Sequence, residues 1–288
     1  CYINIRMKDV AKLSKEAKSA LRFKGESFSF LLVLIISCLI LFLLFKVNII
    51  ALAVSVIGGF FYVRLLQVQQ LGNSLQISDK QFPEIYKEAK ECSEILSLPR
   101  MPRIHITQNP TLNAYAIGFG RSYVIIIHSA VIENLPMEEI RSIIAHEMGH
   151  IKFKHTQFLS LISPLGQYFA FADLLFGFWI RKAEYTADRC ALICSKNKET
   201  AIKTLIKVSV GPLCGKDVDI DKLSLQLQDV EANKLGKIGE MLGSHPYILK
   251  RIWELNKFAY IYKTKPCSNC GNISSSEAKF CEFCGGEL

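Results

Sequence analysis

Three rhythms of apolar and polar positions divide this chain, and each predicts a different kind of element. Phe28 to Phe45 passes without a charge, and after Lys46 the run from Val47 to Val63 continues until Arg64. Each run is near the minimum length for a helix crossing about 30 Å of hydrocarbon. Lys46 and Asn48 supply a polar turn between them, so residues 28–64 are expected to form a transmembrane helical hairpin. Ahead of it, residues 1–27 form a basic, amphipathic lead-in. The second rhythm is alternation. Arg103 to Gln108 reads as a strand, and Asn113–Gly120 and Tyr123–His128 read as two more, joined at Gly120-Arg121-Ser122. The third is helical. Residues 65–100 are polar and helical, with Pro83 near a helix start and Leu98-Pro99 at its end. Pro136 with Glu138 and Glu139 opens a helix whose apolar face runs through Ile140, Ile143, Ile144, Met148 and Ile151.

Beyond that helix lies a third apolar run, Phe158 to Ile180, in which Asp173 is the sole charged residue. Pro164 and Gly166 allow a break, predicting two helical pieces that either pack in the core or dip into a membrane. Val210 to Asp229, with Gly211-Pro212 and the acidic stretch Asp217–Asp221, reads as a mobile loop. A last helical region is expected from about His245 to Ile261. Together these predict a mainly α protein with a small β-sheet, of α+β class, behind the hairpin. The expected units are residues 1–27, 28–64, 65–262 and a short cysteine-rich tail, 263–288.

Composition supports membrane contact. Half of the 288 residues are hydrophobic and the mean hydropathy is +0.23, high for a water-soluble globule. The net charge of +9 includes Arg6, Lys8, Lys12, Lys15, Lys18, Arg22 and Lys24, all just before the first apolar run. Basic residues there read as a cytoplasmic anchor beside anionic lipid rather than as a nucleic-acid face. A hairpin returns the chain to its starting side, so residues after 64 are expected to face the cytoplasm as well. The apolar length and the lack of a small-residue cleavage site argue against a signal peptide. The chain opens on Cys1, with Met7 as a candidate start. Of the ten cysteines, Cys38, Cys92, Cys190, Cys194 and Cys214 are scattered without framework spacing, which favours a reducing compartment.

The chemistry begins at His146-Glu147-Met148-Gly149-His150. Histidines four apart on a helix share a face, so both imidazoles reach one metal ion, and the intervening Glu stands beside it. This is the HExxH spacing of zinc-dependent peptidases. Catalytic zinc takes three protein ligands and keeps one position open. Glu184-Tyr-Thr-Ala-Asp188 is the best source of the third, because its two carboxylates also lie four apart. One can bind metal while the other accepts the free N–H of a ligand histidine. Glu147 is then placed as general base toward a zinc-activated water. An oxyanion donor is also needed. His245, in Ser244-His245-Pro246 with Arg251 six residues on, is a candidate, although a histidine at an ordinary helix start reads the same way.

The tail carries Cys267-x-x-Cys270 and Cys281-x-x-Cys284, each followed by Gly. Four thiolates at this spacing suit a structural zinc site, a zinc ribbon whose folding energy comes from metal binding. Lys279 and Phe280 alone make a poor nucleic-acid face, so docking or substrate recruitment is the expected role.

His146-Glu147-x-x-His150, Glu184-x-x-x-Asp188, Asn113-Ala114 on a strand before the motif helix, and His245-Pro246 with Arg251-Ile252 occur in the order seen in the HtpX-like and CAAX prenyl endopeptidases, and over residues 65–262 the chain resembles that family. The resemblance implies a gluzincin fold with one catalytic zinc. His146, His150 and Glu184 would be its ligands, Glu147 the base, and Asp188 a support behind the ligands. His245 and Arg251 would lie near substrate or transition state, and Asn113 and Ala114 on the strand that pairs with extended substrate. The expectation is a membrane-anchored zinc endopeptidase acting on membrane or misfolded proteins. A CAAX-type processing peptidase, or a membrane adaptor or holdase working through the ribbon, are the alternatives. Oligomeric state is not legible.

Overall fold

The computed structural model describes residues 20–288, apart from 167–169, 196–197, 234, 237–238, 241–242, 244, 267–268, 270–272, 276–279, 281–285 and 288; at 41, 44, 47, 51–52, 55–56, 161–166, 170–175, 221, 261–266 and 273–275 it describes the backbone alone. Two apolar helices lead, α1 (Glu26–Val47) and α2 (Ile49–Gly72), with Asn48 between them. β1 (Leu75–Gln76) and α3 (Pro83–Ile95) follow. Then come β2 (Arg103–Thr107), β3 (Ala114–Phe119), β4 (Ser122–His128), the short α4 (Ser129–Asn134) and α5 (Met137–Lys152). Further along are α6 (His155–Gly166), α7 (Ala170–Cys194), α8 (Lys198–Val210), α9 (Ile220–Ala232) and α10 (Ile248–Lys263). A two-stranded ribbon, β5 (Thr264–Pro266) with β6 (Ile273–Ser275), enters the tail. This is a mainly helical α+β fold.

The sheet runs β1-β2-β4-β3 and is mixed. β3 and β4 form an antiparallel hairpin through Gly120, whose φ of +67° suits a residue without Cβ. β2 lies parallel to β4, pairing Ile104 with Ile125 and Ile106 with Ile127. β4 is therefore paired along both edges, and Val124 to Ile127 are all buried, so its sequence is an unbroken apolar run.

α5 lies against this sheet. Pro136 stands extended just before it, and Glu138 and Glu139 occupy the first turn, where the helix dipole favours acids. Ile140, Ile144 and Met148 pack with Ile104, Ile125 and Ile127 and with Leu255 of α10. Arg141, on the same helix, is buried. It donates to the carbonyl of Cys194 at 2.6 Å and to Glu91 at 2.7 Å, and also pairs with Glu88, tying α5 to α7 and α3.

In the third apolar run α6 is described as far as Gly166, with Pro164 inside it, and α7 from Ala170; the expected break between them falls on residues outside those described. The loop expected over 210–229 is a correction. Its turn signals occupy only 211–219, around a short 3-10 turn at Cys214–Lys216, and α9 begins at Ile220. Ile220, Leu223 and Leu227 recur at helical spacing, and Leu227 is buried.

Among the described residues no helix is long and apolar enough to cross a membrane. The two crossings expected of 28–64 are thus not established. What stands is a helical pair with exposed apolar side chains, among them Phe42, Leu43, Phe45, Ile50 and Ile57. α2 also continues past Arg64 to Gly72, and Gln67 on this extension donates to the carbonyls of Ile117 and Ser122, both at 3.3 Å. The four tail cysteines expected to hold structural zinc lie outside the described residues.

Candidate active site

α5 and α7 cross where Gly149 faces Ala187 and Cys190. That close approach brings the helix carrying His146 and His150 against the helix carrying Glu184 and Asp188. One nitrogen of each imidazole and one oxygen of Glu184 lie within 4.8 Å of one another, a group able to hold a metal ion. His146 Nε2 is 3.2 Å from His150 Nε2 and 3.5 Å from Glu184 Oε2, and His150 Nε2 is 3.3 Å from Glu184 Oε1. Ligands about 2.0–2.1 Å from a tetrahedral zinc would stand roughly 3.4 Å apart. The two imidazole nitrogens stand near that spacing, and each lies about as far from one of the two Glu184 oxygens, so the donor types and their closeness fit zinc.

Both rings are turned for the task by what holds their other nitrogen. His146 Nδ1 is 3.1 Å from Asp188 Oδ1, and His150 Nδ1 is 3.2 Å from His155 Nδ1. Arg251 grips Asp188 with two donors at 2.8 and 2.7 Å and reaches Glu184 at 3.1 Å. Burial alone would push the carboxyls of Glu184 and Asp188 up, but the Arg251 guanidinium and the hydrogen bonds around them carry Asp188 below its usual range and Glu184 well below. His146 moves the other way: burial disfavours its charge, yet the two carboxylates bonded to it carry its pKa up to about 10.

Glu147 is buried. Desolvation pushes its carboxyl above the ordinary value, and His146 and His150 pull in the opposite direction. The backbone N–H of Ala116 donates to it, linking the acid to the outer edge of β3. A cavity of about 950 Å³ opens here, lined by His146, Glu147, Glu184, Asn113, Ala114 and His245 among others. Val63, Leu66 and Gln70 of α2 line it too.

The structure brings His146, Glu147, His150, Glu184, Asp188 and Arg251 into one cluster. Asn113 and Ala114 lie at the start of the edge strand β3, along the cavity wall. His245 is exposed and lines the same cavity. Arg251, which the sequence reading sets near substrate or transition state, lines the same cavity, and its donors are also engaged with Asp188 and Glu184. His155 escaped notice altogether. Its position at a helix start, five residues after His150, was the available signal.

Known proteins resemble this chain in sequence. The model of peptidase family M48 matches residues 79–176 and 162–259. The chain is 25% identical over 236 residues to the plastoglobule-localized metallopeptidase 48 of Arabidopsis thaliana chloroplasts, covering 75% of this chain and 68% of that one. It is 28% identical over 206 residues to a protease HtpX homolog of Bacteroides fragilis, covering 55% of this chain and 64% of the relative. A Streptococcus mutans HtpX homolog is 21% identical over 259 residues, covering 72% and 86%. Clustered ligands, a buried acid beside them and the family match over the intervening sequence lead to one conclusion: the chain belongs to peptidase family M48 and is an HtpX-like metallopeptidase.

Proposed function

We propose that this chain is a membrane-anchored zinc endopeptidase that cleaves polypeptides presented at the membrane surface. The observation that carries the reading is the shared cavity: the ligand triangle, the buried Glu147 and three side chains of α2 line one space. His146, His150 and Glu184 would hold the zinc, which when bound supplies Lewis acidity and lowers the pKa of water at the site. Glu147 takes the proton of the attacking water and returns it to the leaving amine, a role suited by a carboxyl pushed above its ordinary value. Ala116 N–H orients that carboxylate. Extended substrate pairs along the edge of β3 near Asn113 and Ala114, where main-chain hydrogen bonds hold it independently of its side chains. His245, exposed at the cavity wall, is the donor toward the developing oxyanion.

The exposed apolar faces of α1 and α2 favour burial in lipid as a two-span anchor. The basic residues ahead of Phe28 put the catalytic unit on the cytoplasmic side. The tail cysteines Cys267, Cys270, Cys281 and Cys284 hold a second, structural zinc, and the substrates are membrane or misfolded proteins, a quality-control role. The test is proteolysis of an unfolded membrane-protein substrate by detergent-purified, zinc-loaded chain. Glu147→Gln should keep its zinc and lose about 10²–10⁴-fold in rate. Equal cleavage by wild type and variant would remove the enzyme assignment.

A further inference from the structure

The amino-terminal segment outside the family match reaches the metal centre. Leu21 and Ser29 are buried against the catalytic unit, and the N–H of Phe23 donates to Thr186 Oγ1 on α7 at 2.8 Å. Between them Glu26, the first residue of α1, points inward and is only 2% exposed. Its Oε1 is 3.1 Å from His155 Nε2, and its Oε2 accepts from the hydroxyl of Thr186. Arg22 Nε stands 3.2 Å from Oε1. His155, 1% exposed beneath the ring of Trp179, turns its other nitrogen to His150 Nδ1 at 3.2 Å.

Proton bookkeeping gives this chain of contacts one direction. A carboxylate only accepts, so His155 must carry its proton on Nε2 and donate it to Glu26. Its Nδ1 is then a lone pair, which can only accept, so His150 must be the Nδ1–H tautomer. That leaves the Nε2 lone pair of His150 free, facing His146 and Glu184. His146 receives the same service directly from Asp188, whereas His150 receives it through one intermediate ring.

We propose that Glu26 is a positioning residue for the metal ligand His150, acting through His155, so that the segment just ahead of the hairpin completes the zinc site. This rests on reading His150 as a ligand through Nε2. It makes the anchor's first turn part of the metal centre: a shift of α1 relative to α6 changes the tautomer and aim of a zinc ligand. Carboxylates behind a ligand histidine typically account for 10–100-fold in metal affinity.

The test is a zinc dissociation constant for the full chain in detergent, measured against a competing chelator, with cobalt substitution as the spectroscopic check. Cobalt on histidine and carboxylate gives visible bands without thiolate charge transfer, which separates this site from the tail cysteines. Glu26→Ala and His155→Phe should each weaken zinc about 10–100-fold and alter the cobalt spectrum. The double variant should be no worse than either alone, because the two act in series. Glu26→Gln, still an acceptor but uncharged, should lose less. Leu21→Ala is the control. It removes a buried side chain from the same segment, so it should lower the melting temperature and leave zinc affinity intact. Wild-type zinc affinity in Glu26→Ala, additive losses in the double variant, or an equal zinc loss in Leu21→Ala would each overturn the proposal. Zinc binding is the readout, so a chain that binds zinc through this relay but cleaves nothing would sink the peptidase reading and leave this one standing.

Discussion

Gly149→Ala is the sharpest perturbation of the helix crossing that builds the site. A Cβ at this position would lie 2.9 Å from Cys190 Cβ, 3.1 Å from Cys190 Sγ and 3.1 Å from Ala187 Cα. Ordinary carbon contacts settle at about 3.5–4.0 Å, so α5 and α7 would have to part by roughly 0.5–1 Å. Two of the three obstructing atoms are a Cα and a Cβ, which cannot swing aside. The overpacking cost should therefore sit near the top of the usual range of about 1–3 kcal/mol. Alanine's better helix propensity returns about 1 kcal/mol, leaving a net loss near 2 kcal/mol, or roughly 4–8 °C in Tm for a unit of this size. The functional effect should be larger. Glu184 lies one turn before Ala187, and moving it by 0.5 Å is about a quarter of a zinc–oxygen bond. Zinc affinity should fall on the order of tenfold or more, measured by chelator competition at a temperature well below the melt. Adding Cys190→Gly removes two of the three close atoms and should restore zinc binding, though not full stability. If Gly149→Ala melts and binds zinc like wild type, the close crossing of α5 and α7 does not set the ligand geometry.

Arg251→Ala should strip the counter-charge from two buried carboxylates and cost about 3–5 kcal/mol. Lysine should recover only part, since one ammonium cannot make the paired contact with Asp188. In wild type both carboxyls are held below their ordinary values, so the stability they confer is present above those values and lost as pH falls through the lower folded ones. The acid-unfolding midpoint of metal-free Arg251→Ala, followed by circular dichroism, should accordingly move to higher pH; an unchanged midpoint would deny the guanidinium this role. Zinc loading should depend on pH in the opposite region. With His146 carried up to about 10, the metal-free site keeps a proton there at neutral pH that zinc must displace. Affinity should rise about tenfold per pH unit from 7 toward 9, with about one proton released in calorimetry across buffers of different ionisation enthalpy. A flat profile would contradict the raised imidazole.

The sequence was most legible where a local period determines the element. The face of α5 and the strands at 103–128 could be read because each is decided within a few residues. The region 210–229 was misread because Gly211-Pro212 and the acids beyond it are strong local signals that mask the weaker spacing of Ile220, Leu223 and Leu227. The parallel pairing of β2 with β4 was hidden for another reason, since strand order depends on contacts outside any window. Arg251 shows the same limit in chemistry. An arginine six residues after a histidine says nothing of which carboxylates it meets, and its partners lie 63 and 67 positions away. Glu26 and His155, 129 positions apart, lie further still from anything a motif could report.

Charge balance explains why so many ionisable groups share one buried place. With both imidazoles neutral, Glu147, Glu184 and Asp188 carry three negative charges against the single positive charge of Arg251, so the cluster holds two in excess. Isolated buried charge of that size is very costly in a low-dielectric interior. A divalent cation on His146, His150 and Glu184 would cancel it. Without one, the raised His146 relieves part of the excess by holding a proton, and the upward shift of Glu147 is in the same direction. His146 must give that proton up for metal binding. Arg251 sets the size of the imbalance: it keeps Asp188 and Glu184 ionised and so leaves a surplus that matches one dication. A neutral residue at 251 would leave three negative charges in excess, and the site would then favour protons on its carboxyls over a metal on its histidines.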